Sequence, residues 1–277
     1  MKRLLALLLA VVMVFALAAC STEETKTTEA AKTTEKTQET EVATTPAETE
    51  AVTEPATEES EIIVEETEPE EDFTDDTTVM TFADFMEAEE ETYVVIECAV
   101  QANQSWWDNK ITVYGADENG GYFLYEMACS EEDSAKLTQG TWIRVTGVKK
   151  EWEGMIEIMD ATFTFVEKEA YIAEAQDVTA LIDSEELVNK TALPVIFTGM
   201  TVEAIEFKNG EPGDDIYVTV KSGETSYNFC VERYLTGPET EVYAAVSALQ
   251  AGDVIDITAY LYWYQGINPH IIAVTAA

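Results

Sequence analysis

Leu137-Thr138-Gln139-Gly140-Thr141-Trp142-Ile143-Arg144-Val145-Thr146-Gly147 returns 112 residues later as Leu249-Gln250-Ala251-Gly252-Asp253-Val254-Ile255-Asp256-Ile257-Thr258-Ala259. At the same offset and without a gap, Gly154 falls on Gly266 and Ala161 on Ala273. Self-similarity at a fixed spacing marks a duplicated structural unit. Each block has one physical reading: the last turn of a helix, a glycine able to take the left-handed cap, then a strand whose apolar residues alternate. The chain therefore makes the same helix-into-strand step twice.

Outward from the first block, Tyr93 to Gln101 is a β-rich run and Lys110 to Tyr114 alternates as a second strand. Asp117-Glu118-Asn119-Gly120-Gly121 is turn chemistry, and Tyr122 to Met127 returns as a third strand. Ser130-Glu131-Glu132-Asp133 resembles a capping box with Asp in place of Glu, opening a short helix that ends at Gly140. A strand from Trp142 to Trp152, a turn at Gly154 and a fifth strand through Ile156 and Ile158 complete the set. The second copy repeats the order: Val195 to Phe207, Ile216 to Lys221, Ser226 to Val231, a helix from Gly237-Pro238 to Leu249, then Val254 to Trp263 and His270 to Val274. Short helices precede each set: Thr81 caps Phe82 to Glu90, and weaker turns follow Asp177 or Thr179 and Ser184. These are expected to plug the barrel bottoms or pack the halves together.

Three strands, a helix and two strands is the connectivity of a five-stranded Greek-key barrel. Both halves thus resemble the OB-fold, in particular the OB-like domains of secreted and lipid-anchored proteins of anaerobic gut bacteria, Clostridia and other Firmicutes. The fold expected is mainly β: two tandem five-stranded OB-like barrels, each with a short helix between strands 3 and 4, over residues 78–167 and 168–277. No Gly/Ser-rich linker separates them around Glu167 to Gln176, which argues for a fixed pair.

The N-terminal residues read as an export signal. Lys2 and Arg3 precede an apolar run from Leu4 to Phe15, shorter than the roughly 20 residues a membrane-spanning helix needs. Leu17-Ala18-Ala19-Cys20 resembles the lipobox of bacterial lipoprotein signal peptides. The resemblance implies that residues 1–19 are removed, that the Cys20 sulfur is the lipid attachment site, and that the palmitate-like chains hold the protein on the extracytoplasmic face of the cell membrane. Two or three acyl chains make such attachment stable where one is marginal. The rest of 20–77 is nearly all Thr, Glu, Ala, Lys and Pro; from Ser21 to Asp76 it holds 20 acidic residues against 3 lysines. It cannot bury enough apolar surface to offset its ordering entropy, so a disordered acidic tether is expected.

Residues 78–277 hold 35 acidic residues against 10 basic ones, a net charge of −25. Nucleic acid binding rests on neutralising phosphates with Lys and Arg, so this balance argues against a DNA or RNA partner. It favours cationic partners or neutral ligands. Beyond Cys20 there remain Cys98, Cys129 and Cys230. An odd number gives no complete disulfide framework; a Cys98–Cys129 pair is open, and small buried thiols are the commoner case.

Catalysis finds little support, so the chain reads as a non-enzyme without cofactor or metal. The lone histidine, His270, is more often structural than catalytic. No GxSxG, HExxH, CxxC or P-loop pattern occurs. Asp117-Glu118-Asn119 and Asp214-Asp215 fit turns better than an EF-hand calcium loop. OB barrels bind ligands on the face of strands 2 and 3, rimmed by the loops joining strands 1 to 2 and 4 to 5. Trp106 and Trp107 fall in the first such loop and Trp152 in the other, while Tyr262, Trp263 and Tyr264 end a strand of the second copy. Flat rings beside Asp, Asn and Gln suit a sugar or a partner protein. The same rings could instead complete a barrel core or the seam between the barrels. Three roles remain open: display of a glycan- or protein-binding module, an OB-type nucleic-acid binder, and a structural envelope spacer without ligand.

Overall fold

The structure, a computed structural model, describes residues 78–277, within one compact unit, Pro69–Ala277. The expected signal peptide (1–19), Cys20 and the whole of the expected acidic tether (20–77) lie outside the described residues. No helix among the described residues is long and apolar enough to cross a membrane.

Thr81 opens helix α1 (Phe82–Glu87): its side chain accepts from Asp84 N while Asp84 reaches back to Thr81 N, a reciprocal capping box. Strands β1 (Tyr93–Asn103), β2 (Lys110–Ala116) and β3 (Gly121–Ala128) follow, then the single turn α2 (Glu131–Ser134), β4 (Trp142–Trp152) and β5 (Met155–Phe165). Around the closed barrel the order is β1-β2-β3-β5-β4. All neighbours are antiparallel except β3 and β5, which meet in parallel at Leu124 and Ile158. This is the ring order of the OB-fold. Alternation sends Val94, Ile96, Val113, Leu124, Ile143 and Ile158 inward, and Phe82 and Phe85 of α1 join that core.

The chain then crosses from 166 to 175 as an irregular strap laid on the first barrel. Trp142 Nε1 donates to Glu169 O at 2.7 Å, Gln101 Nε2 to Tyr171 O at 3.1 Å, and Ala173 N to Gln101 Oε1 at 2.8 Å. A second sheet follows: β6 (Gln176–Asp177), β7 (Pro194–Phe207), β8 (Ile216–Ser222), β9 (Thr225–Val231), helix α3 (Glu241–Ser247), β10 (Val254–Tyr260) and β11 (His270–Ala276). Its order is β10-β11-β9-β8-β7-β6, and β10 also pairs with β7, which closes a second ring of five strands. Phe197, Val218, Phe229, Val246 and Ile257 fill it. Gly140 and Gly252, equivalent in the two copies, take the left-handed φ of 90° and 97°, but not as helix caps: the C-caps are Ala135 and Ala248, and the glycines sit in the turns that lead into β4 and β10.

Local boundaries differ from expectation where capping chemistry decides. Helix α3 begins at Glu241, not at Gly237-Pro238: Thr240 is its N-cap, accepting from Tyr243 N at 3.1 Å, and Gly237 O accepts from Thr240 N in the turn ahead of it. The helix before Gly140 lasts one turn, because three-residue hydrogen bonds from Lys136 and Leu137 tighten it and deliver Leu137 into the core. The weak helices near Leu181 and Val188 are 3-10 turns, Thr179–Leu181 and Glu185–Lys190. Strand β10 stops at Tyr260 instead of Trp263, since Asn268 N donates to Tyr262 O and Tyr264 N to Gly266 O to make a turn. Cys98, Cys129 and Cys230 are buried free thiols, so the Cys98–Cys129 pair is not formed. Burial pushes all three upward, Cys129 to about 11, which keeps them protonated and unreactive.

Candidate functional site

On β2 and β3, Tyr114 and Phe123 sit one residue out of phase with the inward set and so point away from the first barrel's core. They do not face solvent. With Met155 of β5 they form a third apolar cluster together with Tyr260, and with Leu235, Tyr262, Trp263 and Ile272 of the second barrel packed against it. Tyr114 stacks on Tyr260 at 4.6 Å between ring centroids, and Phe123 meets Tyr262 edge-on at 5.3 Å. Tyr262 in turn stacks on His270 at 4.3 Å, and the Tyr114 hydroxyl shares a 2.6 Å hydrogen bond with His270 Nδ1. Burial drives the His270 pKa down to about 4 and the Tyr114 phenol up, so the pair is neutral.

Both rim loops of the first barrel reach the second. Ser105 N, in the β1–β2 loop, donates to Tyr234 O at 2.8 Å; Gln265 N donates to Glu153 O, in the β4–β5 turn, at 2.9 Å. The β2–β3 face that an OB barrel usually offers to ligand is thus occupied by the neighbouring barrel. Contact is close enough to demand glycine at one point: a Cβ on Gly121 would lie 2.3 Å from Thr191 O.

The candidate aromatic residues separate cleanly. Trp106 turns inward against the first core and donates from Nε1 to Cys129 O at 2.8 Å. Its neighbour Trp107 is then forced outward, 54% exposed. Tyr262 and Trp263 are half-buried seam residues, Trp263 lying over Gly154. Trp152 and Tyr264 remain, 50% and 48% exposed, their rings 5.3 Å apart at 37°. They are repeat equivalents, as are Glu153 and Gln265 beside them: the two copies meet turn to equivalent turn. The result is an aromatic ledge built from both barrels, held by a backbone hydrogen bond.

Asp117 and Asp215 of the acidic turns are already engaged. Asp117 accepts from Asn119 N, Gly120 N and the Tyr122 hydroxyl. Asp215 accepts from Arg233 N and pairs with Lys208 at 2.8 Å, which pushes the ammonium of Lys208 further up. No group of three metal-ligating side chains occurs among the described residues. The seam residues Tyr114, Phe123, Glu157 and His270 were not singled out as a cluster by their sequence. The available signal was that aromatic residues on β2 and β3 fall on the outward phase.

No protein-family model and no curated protein matches this chain. Solved structures similar to it include a murine DNA-binding protein bound to double-stranded DNA, at 13% identity over 66% of this chain and 96% of that one, with a TM-score of 0.34. A replication protein A heterotrimer bound to single-stranded DNA is similar at 9% identity over 72% and 69% of the two chains, with a TM-score of 0.27. Likeness at this level carries no argument; the fold rests on the strand order itself.

Proposed function

We propose that this chain is an exported lipoprotein, anchored through Cys20 on the extracytoplasmic face of the membrane, whose tandem OB-like domains form a non-enzymatic binding module for a glycan. The observation that carries the reading is the half-exposed pair Trp152 and Tyr264, one ring from each repeat, packed into a single ledge. Rings held this way offer an apolar platform for a sugar ring at little cost in side-chain entropy. The net charge of −25 between residues 78 and 277 disfavours phosphate-bearing ligands.

A glycan array with a soluble fragment spanning residues 69–277 tests the ligand class. Trp152→Ala is expected to weaken the bound glycan by about 30-fold or more, the loss typical of a central aromatic anchor, with the unfolding midpoint little changed. Binding that survives Trp152→Ala and Tyr264→Ala together would remove the ledge from the account. Single-stranded oligonucleotides are expected to give no gel shift at low ionic strength; a salt-sensitive shift would move the reading to a nucleic-acid binder. For the anchor, Cys20→Ser is expected to abolish labelled-palmitate incorporation, and a labelled variant would overturn that assignment.

A further inference from the structure

Nine polar side chains are buried among the described residues, and eight of them have hydrogen-bond partners. Glu157 is the ninth. Only 3% of its surface meets solvent, and it has neither hydrogen bond nor ion pair among the described residues. It lies on β5 two residues beyond Met155, on the outer face that packs into the seam. The residue directly across β4, Lys150, turns its ammonium to Glu91 instead. On β3, Tyr125 faces Glu157, with Lys110 behind it committed to Glu126 at 2.6 Å. From the other barrel Tyr262 faces it, and beyond Tyr262 lie His270, Glu232, Cys230, Tyr114 and Tyr260. No free cation is in this set, and the tyrosines are phenols raised by burial.

We propose that the seam is a pH-operated closure, in which ionisation of Glu157 parts the two barrels and uncovers Tyr114 and Phe123 on the β2–β3 face of the first. A neutral carboxyl is tolerated among the phenols. A carboxylate there has lost most of its water, keeping only a sliver of solvent contact, and has gained no counter-charge; opening the seam returns the water.

Burial raises the Glu157 pKa from its ordinary 4.5 to about 7. The closed seam is therefore fully favoured below about pH 4.5 and loses that contribution as pH climbs to about 7. Glu232, under the Tyr234–Leu235 turn that Ser105 contacts, is also pushed up to about 7 by burial and acts in the same direction. His270 acts oppositely: held neutral with a pKa near 4, it favours closure fully above about 6.5 and progressively less toward 4. Glu232 and His270 offset each other across most of this window, which leaves Glu157 to set the net dependence.

Hydrogen exchange on the full chain tests this, read at Ser105 N and Gln265 N, which donate across the seam. Between pH 5 and pH 8, after correction for intrinsic exchange, their protection is expected to fall by up to about 70-fold, the part of the change allowed by a pKa rise from 4.5 to about 7 that falls above pH 5. Protection at Ile96 N, inside the first barrel, should stay unchanged. Glu157→Gln keeps the shape without the charge and is expected to flatten the profile. Glu157→Met, apolar and similar in size, should flatten it too and stands in if the amide disturbs the fold. A flat wild-type profile, or a variant that falls as steeply as the wild type, overturns the proposal.

Discussion

Tyr114→Ala is expected to destabilise the barrel pair by about 3–5 kcal/mol, the range for removing a fully buried aromatic side chain. The ring belongs to the seam and not to either barrel's own core, so the loss should fall on the contact between barrels. It removes stacking on Tyr260 and leaves His270 Nδ1 buried without its partner. Urea unfolding is expected to change from one transition to two, as the barrels cease to support each other, while the far-ultraviolet strand signal persists in mild urea. Tyr114→Phe isolates the hydroxyl and should cost only about 1–2 kcal/mol. If the alanine variant cost no more than the phenylalanine one, the stacking would contribute nothing and the seam would be a loose contact.

Lys149→Met carries the second large effect, about 3 kcal/mol, for a different reason. Lys149 points into the bottom of the first barrel, where its ammonium donates to Phe85 O, Met86 O and Ala88 O at 2.8, 2.8 and 2.6 Å. These are carbonyls at the end of α1, where the chain has no further helical turn to satisfy them and where the helix dipole favours a cation. The Phe85 ring beside the ammonium, with its centroid 5.3 Å away, adds to the same contact. Methionine fills the volume and supplies no donor. The expected result is a lower thermal midpoint and faster exchange at Ala88 N, which reports the last turn of α1. Lys150→Met, next along the strand and ion-paired with Glu91 at the surface, should leave the midpoint nearly unchanged.

Much of this architecture was readable because the repeat fixed it. Gly140 and Gly252 mark the same backbone conformation in both copies, and β4 runs from Trp142 to Trp152 as the alternation demanded. Boundaries moved where one side chain outcompeted another for an amide, as Thr240 did at the start of α3. The site was less legible. Adjacent tryptophans imply that one faces outward, and Trp107 does; which of the two turns in depends on the carbonyl of Cys129, 23 residues away in sequence. Alternation along one strand would put Tyr260, Tyr262 and Tyr264 on a common face, but the strand ends at the first of them: Tyr260 is buried, Tyr262 half-buried and Tyr264 exposed. Alternation says which residues leave a barrel's interior. It does not say whether water or a second barrel receives them, and that is why Tyr114 and Phe123 carried no signal of the seam.

The strap between the barrels has a kinetic consequence. Its last anchor on the first barrel is Ala173, bonded to Gln101, and its first on the second sheet is Gln176, paired with Val195. Only Glu174 and Ala175 lie between, a span of at most about 11 Å. Barrels parted at the seam can swing but cannot drift away, so reclosing is a unimolecular pivot whose rate does not depend on protein concentration. Diluting the protein would leave the open fraction unchanged, whereas cutting the chain between Glu174 and Ala175 would make it rise on dilution.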